Sequence, residues 1–359
     1  MKEYKLDKEF LERYQVFLSS NIVFESDDFQ KTDYWKHHSA LFNVDIKGNK
    51  ISVEGSSGFY VPKKTSLDNL TKLFKILISS PYKIISKLKS KLISFLDVSG
   101  HFNPEKAFDL IASFNPDDLG SDEYIKAFSA RSRDRLNFHK VSNKKGSFSS
   151  IKEIIKAVNK RYILNSQMIF SYYAFNILNS FLSNTDSLKI LEIGGGNGNL
   201  LSVLHDNCPS STIIDVDLPE TLSSAILFIK EMYPDASILL PNEIEGKSIE
   251  DYDFIFITPS QLEFIDDSFI DIAVNISSFQ EMTMQQITSY FDFIYKVVKK
   301  DGLFLTVNRI EKLFESSSPI RFSEYPWRNK DELLAYEIDP FFHLTCPSDH
   351  YLRVEKIVK

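Results

Sequence analysis

From Leu188 onward, short apolar runs alternate with stretches whose apolar residues recur at helical spacing. Leu188–Ile193, Thr212–Val216, Phe254–Thr258, Ile270–Ile276 and Leu303–Val307 are apolar nearly throughout, as strands buried on both faces must be. Between them the pattern predicts helices at Asn199–Asn207, Pro219–Met232 and Met284–Lys299. The last opens with a Thr283/Gln286 capping box and carries Ile287, Tyr290, Phe291, Ile294, Val297 and Val298 on one face. Apolar strands joined by helical crossovers make an α/β fold, a mostly parallel sheet with helices on both faces.

The upstream pattern differs. Phe10, Tyr14, Phe17 and Leu18 predict a short helix, and the Asn49–Val53 alternation with the Gly55–Gly58 turn predicts a small hairpin. Leu67–Leu96 reads as two helices broken at Pro81, followed by loop and helix from His101 to Phe138. Ser150 and Glu153 form a capping box for a helix with Ile151, Ile154, Ile155, Val158 and Tyr162 on one face, and a second apolar helix spans Gln167–Leu182. The boundary is therefore expected near 150, with 1–150 a mainly helical region for substrate, lid or oligomerisation and 151–359 the sheet domain.

Composition narrows the function. With 359 residues, 43% hydrophobic and 25% charged, burying a core is not the difficulty. The 30 Phe and 16 Tyr fill a core in the ordinary case and line clefts or interfaces otherwise, which leaves a homo-oligomer open. A net charge of -7 argues against nucleic acid as partner. Cys208 and Cys346 are the whole cysteine complement, which excludes a disulfide framework or cysteine-rich metal site and fits a reducing cytoplasm. The N-terminus has no apolar signal core and no segment is long enough to span a bilayer. Lys72, Lys75, Lys83, Lys87, Lys89 and Lys91 form a basic face, either a solvated helix side or a contact with a membrane surface or lipid-linked substrate. Arg131, Arg133 and Arg135 could reach an anionic group, though a surface loop is the default; the adjacent His37 and His38 do not share a helix face and suit no metal.

The candidate chemistry starts at Lys189–Leu200, where a buried strand runs into Gly194, Gly195, Gly196 and Gly198. A dinucleotide fingerprint fails in both registers because Asn199 or Leu201 stands at the third glycine, and no Gly-Lys-Ser/Thr follows for a phosphate loop. What remains is Glu192-x-Gly194-x-Gly196-x-Gly198. About twenty residues on, Asp217 ends the next strand where a carboxylate can accept both hydroxyls of a ribose, with Leu218 and the helix-opening Pro219 after it; Asp215 is the alternative by register. Thr258-Pro259-Ser260-Gln261 closes the third strand and Asn275 to Met282 the fourth, where Ser277-Ser278-Phe279-Gln280-Glu281 is poorly explained as packing.

The glycine motif resembles the first motif of class I S-adenosylmethionine-dependent methyltransferases. Together with Ser277–Met282, Val307-Asn308-Arg309 and Ser323-Glu324-Tyr325-Pro326-Trp327, the chain from about 100 onward resembles the bacterial sugar O-methyltransferases found with surface-polysaccharide genes. The resemblance implies a Rossmann-like fold, S-adenosylmethionine as cofactor with S-adenosylhomocysteine as product, and transfer to a hydroxyl of a nucleotide sugar or glycan precursor. It implies that Glu192, Gly194, Gly195, Gly196, Gly198, Asp217, Leu218, Pro259, Ser260 and Asn275 bind the cofactor. Glu281 is the first candidate base and His343 the second; Ser278 and Gln280 would hold sugar hydroxyls, and Arg309 or Tyr325 shape the acceptor pocket. No compact ligand motif demands a divalent metal. A non-catalytic scaffold for glycan assembly and a methyltransferase for another small molecule or a protein share these features.

Overall fold

The computed structural model describes residues 2–20, 43–47, 50–54, 166–314, 317–339, 342 and 349–359. The chain opens with β1 (Lys2–Lys5), α1 (Lys8–Ser19), β2 (Asn43–Lys47) and β3 (Lys50–Glu54); after α2 (Ser166–Asn179) come β4 (Lys189–Ile193), α3 (Asn199–Asn207), β5 (Thr212–Val216), α4 (Pro219–Met232) and β6 (Ile238–Leu239). Then follow β7 (Phe254–Ile257), β8 (Ile270–Ile276), α5 (Met284–Val297), β9 (Val298–Arg309), β10 (Glu311–Phe314), β11 (Ser317–Arg321), β12 (Glu332–Ile338) and β13 (His350–Lys356).

Among the described residues one sheet has eight strands in the order β12-β13-β9-β8-β4-β5-β7-β6. β4 pairs in parallel with both β5 and β8, β5 with β7, β7 with β6, and β8 with β9. The chain thus starts in the middle, works outward through β5 and β7, and returns to the other side of β4 through β8. The switch point lies between β4 and β8, where ligands bind at the carboxyl ends of strands. β13 enters antiparallel: Asp301 N–H donates to Ile357 O, and Ile357 N–H to Gly302 O.

The strands form because their residues can be buried on both faces. All four residues of β7, Phe-Ile-Phe-Ile, are buried, each worth roughly 1.5–3 kcal/mol of transfer free energy. Leu191, Ile193, Ile214, Val216, Ile255 and Ala273 meet Phe291 and Ile294 of α5 in one core cluster. The expected capping box is present: Thr283 accepts from Gln286 N–H at 3.3 Å and Gln286 Oε1 from Thr283 N–H at 2.9 Å.

The described residues 2–20, 43–47 and 50–54 belong to the same compact unit as the sheet, rather than standing with a separate N-terminal region; the expected boundary at 150 lies outside the described residues. β1, β3 and β2 make an antiparallel sheet, with β2 and β3 as the hairpin. α1 buries Phe10, Leu11, Tyr14 and Phe17, while Leu18 is exposed. It docks through Arg13, whose Nε and Nη2 donate to the two carboxylate oxygens of Glu243 at 2.6 and 2.7 Å, with Nη2 also reaching Ile238 O at 2.6 Å. Tyr14 Oη donates to Ser223 O at 3.2 Å. In the second unit, Tyr173 of α2 donates to Asp339 Oδ2 at 3.1 Å.

The helix expected at Gln167–Leu182 is α2; the Lys72–Lys91 face, Arg131–Arg135, His37, His38 and the Ser150 capping box lie outside the described residues. No helix among the described residues is long and apolar enough to cross a membrane.

Candidate functional site

After β4 the backbone turns through Gly194, Gly196 and Gly198 at φ 77°, 62° and 82°. A Cβ at Gly194 would lie 2.4 Å from Ser278 Cβ, so the turns after β4 and β8 meet where no side chain fits. The amides of this turn face the protein. Gly194 N–H donates to Val216 O at 2.8 Å, Gly195 to Asp215 Oδ1 at 3.1 Å, Gly196 to Asp217 Oδ2 at 3.0 Å and Gly198 to Gly195 O at 3.1 Å. A loop that grips a phosphate aims such N–H groups at the ligand. Here they are already spent.

The floor of the turn is acidic. Glu192 and Asp215 sit side by side in register on β4 and β5, both buried, and Glu192 Oε2 and Asp215 Oδ2 have no hydrogen-bond partner. Asp217 also accepts from Leu218 N–H at 2.7 Å. Burial, with the charge of Asp217 adding to it, pushes Glu192 up to about 8. Burial pushes Asp217 up to about 7 against the two main-chain donors that lower it, and Asp215 rises through burial and its two acidic neighbours. No ion pair among the described residues reaches any of the three. Gathering three carboxylates, two of them buried, without a cation is unfavourable. The arrangement suits a ligand that brings positive charge and hydroxyl groups, and it repels a pyrophosphate.

The second turn, Ser277–Met282, is built differently. Asn275, fully buried at the end of β8, donates to Ile193 O at 3.0 Å and accepts from Asn308 Nδ2 at 2.7 Å. Ser278 Oγ donates to the same Ile193 O at 3.0 Å. Asn308 Oδ1 accepts from Gln280 N–H at 3.1 Å, and Gln280 Oε1 accepts from Arg309 N–H at 2.8 Å. These side chains tie the ends of β4, β8 and β9 together. Ser277 Oγ of the same turn is buried without a hydrogen-bond partner. Ser278 and Gln280 act on the protein's main chain where they were expected on sugar hydroxyls, and Asn275 braces the glycine turn from within the core.

Tyr325 is also relocated. It lies in an aromatic cluster, with ring centroids 5.1 Å from Phe322, 5.9 Å from Phe291 and Trp327 and 6.1 Å from Phe279, and is a core residue rather than a pocket wall. Pro259 is buried and Ser260 exposed at the start of a 3₁₀ turn after β7, where Gln261 Oε1 accepts from Thr258 N–H at 2.9 Å and Ser260 Oγ lies 2.9 Å from Thr258 Oγ1. Glu281, nearly buried, pairs with Lys312 at 3.8 Å, and Arg309 stands at the end of β9. His343 lies outside the described residues.

Two participants carried weaker sequence signals. Asp215 stands as a lone acid in Thr-Ile-Ile-Asp-Val, a polar group inside an otherwise apolar strand, and that alone marks it. Lys312 belongs to no motif; its place depends on the β9–β10 connection.

No protein-family model matches the chain, and no curated protein matches it. Among solved structures it is similar to a SAM-dependent methyltransferase from Aquifex aeolicus, at 10% identity and TM-score 0.34 over 51% of this chain and 89% of that one. It is similar also to the geranyl diphosphate C-methyltransferase of Streptomyces coelicolor, crystallised with Mg2+, geranyl diphosphate and S-adenosyl-L-homocysteine, at 12% identity and TM-score 0.38 over 58% and 84%. At these scores no residue role passes from them to this chain. The strand order and its switch point carry the fold, which is a Rossmann-like, mostly parallel sheet.

Proposed function

We propose that this protein is an S-adenosylmethionine-dependent O-methyltransferase acting on a hydroxyl of a sugar-containing small molecule or glycan precursor. One observation carries the cofactor: a turn whose glycine amides are engaged, above three carboxylates of which Glu192 and Asp215 are buried, at the switch point of the sheet. A nicotinamide dinucleotide would bring phosphates to amides that are not offered and to carboxylates that repel them. S-adenosylmethionine instead brings an ammonium, a sulfonium and a ribose diol, and its unpartnered match is Glu192 Oε2 and Asp215 Oδ2. In this reading Glu192 faces the ammonium and Asp217 accepts from the ribose hydroxyls.

When bound, the cofactor supplies an electrophilic methyl group on sulfur. The chain must align an acceptor oxygen and take its proton, since a sugar hydroxyl is a poor acid. Glu281 is the proposed base: it sits on the turn that meets Gly194, and it pairs with Lys312 at 3.8 Å. The sugar acceptor rests on the sequence resemblance of Glu192–Leu200, Ser277–Met282 and Val307–Arg309.

The test has two stages. Calorimetry should detect S-adenosylhomocysteine binding and none of NAD; the reverse would turn the protein into a candidate oxidoreductase. Tritiated methyl transfer from labelled cofactor into nucleotide sugars and lipid-linked glycans should then find the acceptor. Glu281→Gln should abolish that transfer while S-adenosylhomocysteine still binds. Full transfer by this variant would remove Glu281 as the base.

A further inference from the structure

We propose that Arg309 and Lys312 form an oxyanion subsite, which holds a phosphate or carboxylate group carried by the acceptor beside Glu281. Assigning that anion to the acceptor rests on the methyltransferase reading; the anion site itself does not.

The described arginines provide an internal comparison. Arg13 pairs with Glu243, Arg321 with Glu311 and Glu324, Arg328 with Asp331, and Arg353 with Glu355. Arg309 has no such carboxylate, and its Nε is buried without a hydrogen-bond partner. A buried guanidinium donor left unmatched costs on the order of 1–3 kcal/mol, which a ligand can recover. The backbone at this position is not loose, because Gln280 Oε1 holds the Arg309 N–H at 2.8 Å.

Lys312 adds a second positive charge. Its side chain is only 14% exposed, burial lowers its pKa, and Arg309 lowers it further against the opposing pull of Glu281. Lys312, 3.8 Å from Glu281, thus sets a second positive charge near the unmatched Arg309 in a chain whose net charge is -7. The fork of an arginine matches the paired oxygens of phosphate or carboxylate, and a lysine supplements it as a point charge. The location fits an acceptor. Arg309 ends β9 and Lys312 lies in β10, on the same carboxyl edge as the Ser277–Met282 turn, which separates this cationic rim from the acidic floor of the glycine turn. A cationic donor and an anionic acceptor would each meet the opposite charge.

The probes are inorganic phosphate and, in a separate arm, malonate, titrated calorimetrically into the full chain with and without S-adenosylhomocysteine. Binding of either is expected at one equivalent, weakened about tenfold or more by Arg309→Gln and less by Arg309→Lys, with S-adenosylhomocysteine affinity unchanged in both. Preference for phosphate or malonate identifies which oxyanion the acceptor carries. The proposal is overturned if neither probe binds wild type better than chloride does. It is overturned equally if Arg309→Gln still binds S-adenosylhomocysteine and retains wild-type affinity for the probe. Should Arg309→Gln fail to fold, Lys312→Gln carries the same expectation and the same overturning result. Phosphate binding lost with Arg309, in a protein that never binds S-adenosylhomocysteine, would keep the anion site and remove the methyltransferase reading.

Discussion

The two turns that meet at the switch point spend their polar groups in opposite ways. After β8, Asn275, Ser278, Gln280 and Asn308 satisfy main-chain groups of Ile193, Gln280 and Arg309, so most of the turn closes within the fold, with Ser277 Oγ the exception. After β4, the amides are satisfied but the carboxylates under them are not, and Glu192 and Asp215 each keep a buried oxygen without a partner. Polar residues at a strand end are therefore not alike. Those whose bonds close within the fold act as bracing, and those left open point to what the fold receives.

Breaking the braced turn should have the largest effect. Asn275→Ala removes a donor to Ile193 O and the acceptor of Asn308 Nδ2, and it should cost about 3 kcal/mol of stability, read as a shift of the urea midpoint. A loss below about 1 kcal/mol would mean the second turn is not held by its own network. Changing the open turn should do the reverse. Asp217→Asn is expected to weaken S-adenosylhomocysteine binding by about tenfold while leaving stability unchanged or higher, because it removes one of three repelling carboxylates. If this variant were as destabilised as Asn275→Ala, the contrast between the turns would collapse.

The smallest effect is spread over pH. Burial holds Glu192 near 8, above its unfolded value, so the folded protein retains a proton that the unfolded chain has released. The stability this group contributes is complete below its unfolded pKa, about 4.3, and is lost as pH rises through about 8, at no more than about 1.4 kcal/mol per pH unit. The melting midpoint of the ligand-free protein should therefore fall between pH 5 and 8.5 and fall less in Glu192→Gln. Identical profiles for the two proteins would show that Glu192 is ionised without cost.

What was readable in the sequence divides along similar lines. β4, β5, β7 and β8 are visible because burial on both faces forces continuous apolar runs, and Gly194–Gly198 and Asp217 are visible because their chemistry is local. β6 has two residues, and β12 is partly exposed along Glu-Leu-Leu-Ala-Tyr-Glu-Ile, so neither leaves a clear period. The duties of Ser278 and Gln280 were not readable at all. They depend on which other strand ends lie nearby, Ile193 being 85 positions away from Ser278 and Arg309 29 from Gln280.

The Arg13–Glu243 clasp spans 230 positions of chain. During synthesis at roughly 5–20 residues per second, α1 leaves the ribosome some ten to fifty seconds before the segment it grips exists. Its apolar face, Phe10, Leu11, Tyr14 and Phe17, must wait that long for its final neighbours. A chaperone that shields this face is thus expected to matter most for newborn chains and little for refolding of the finished one.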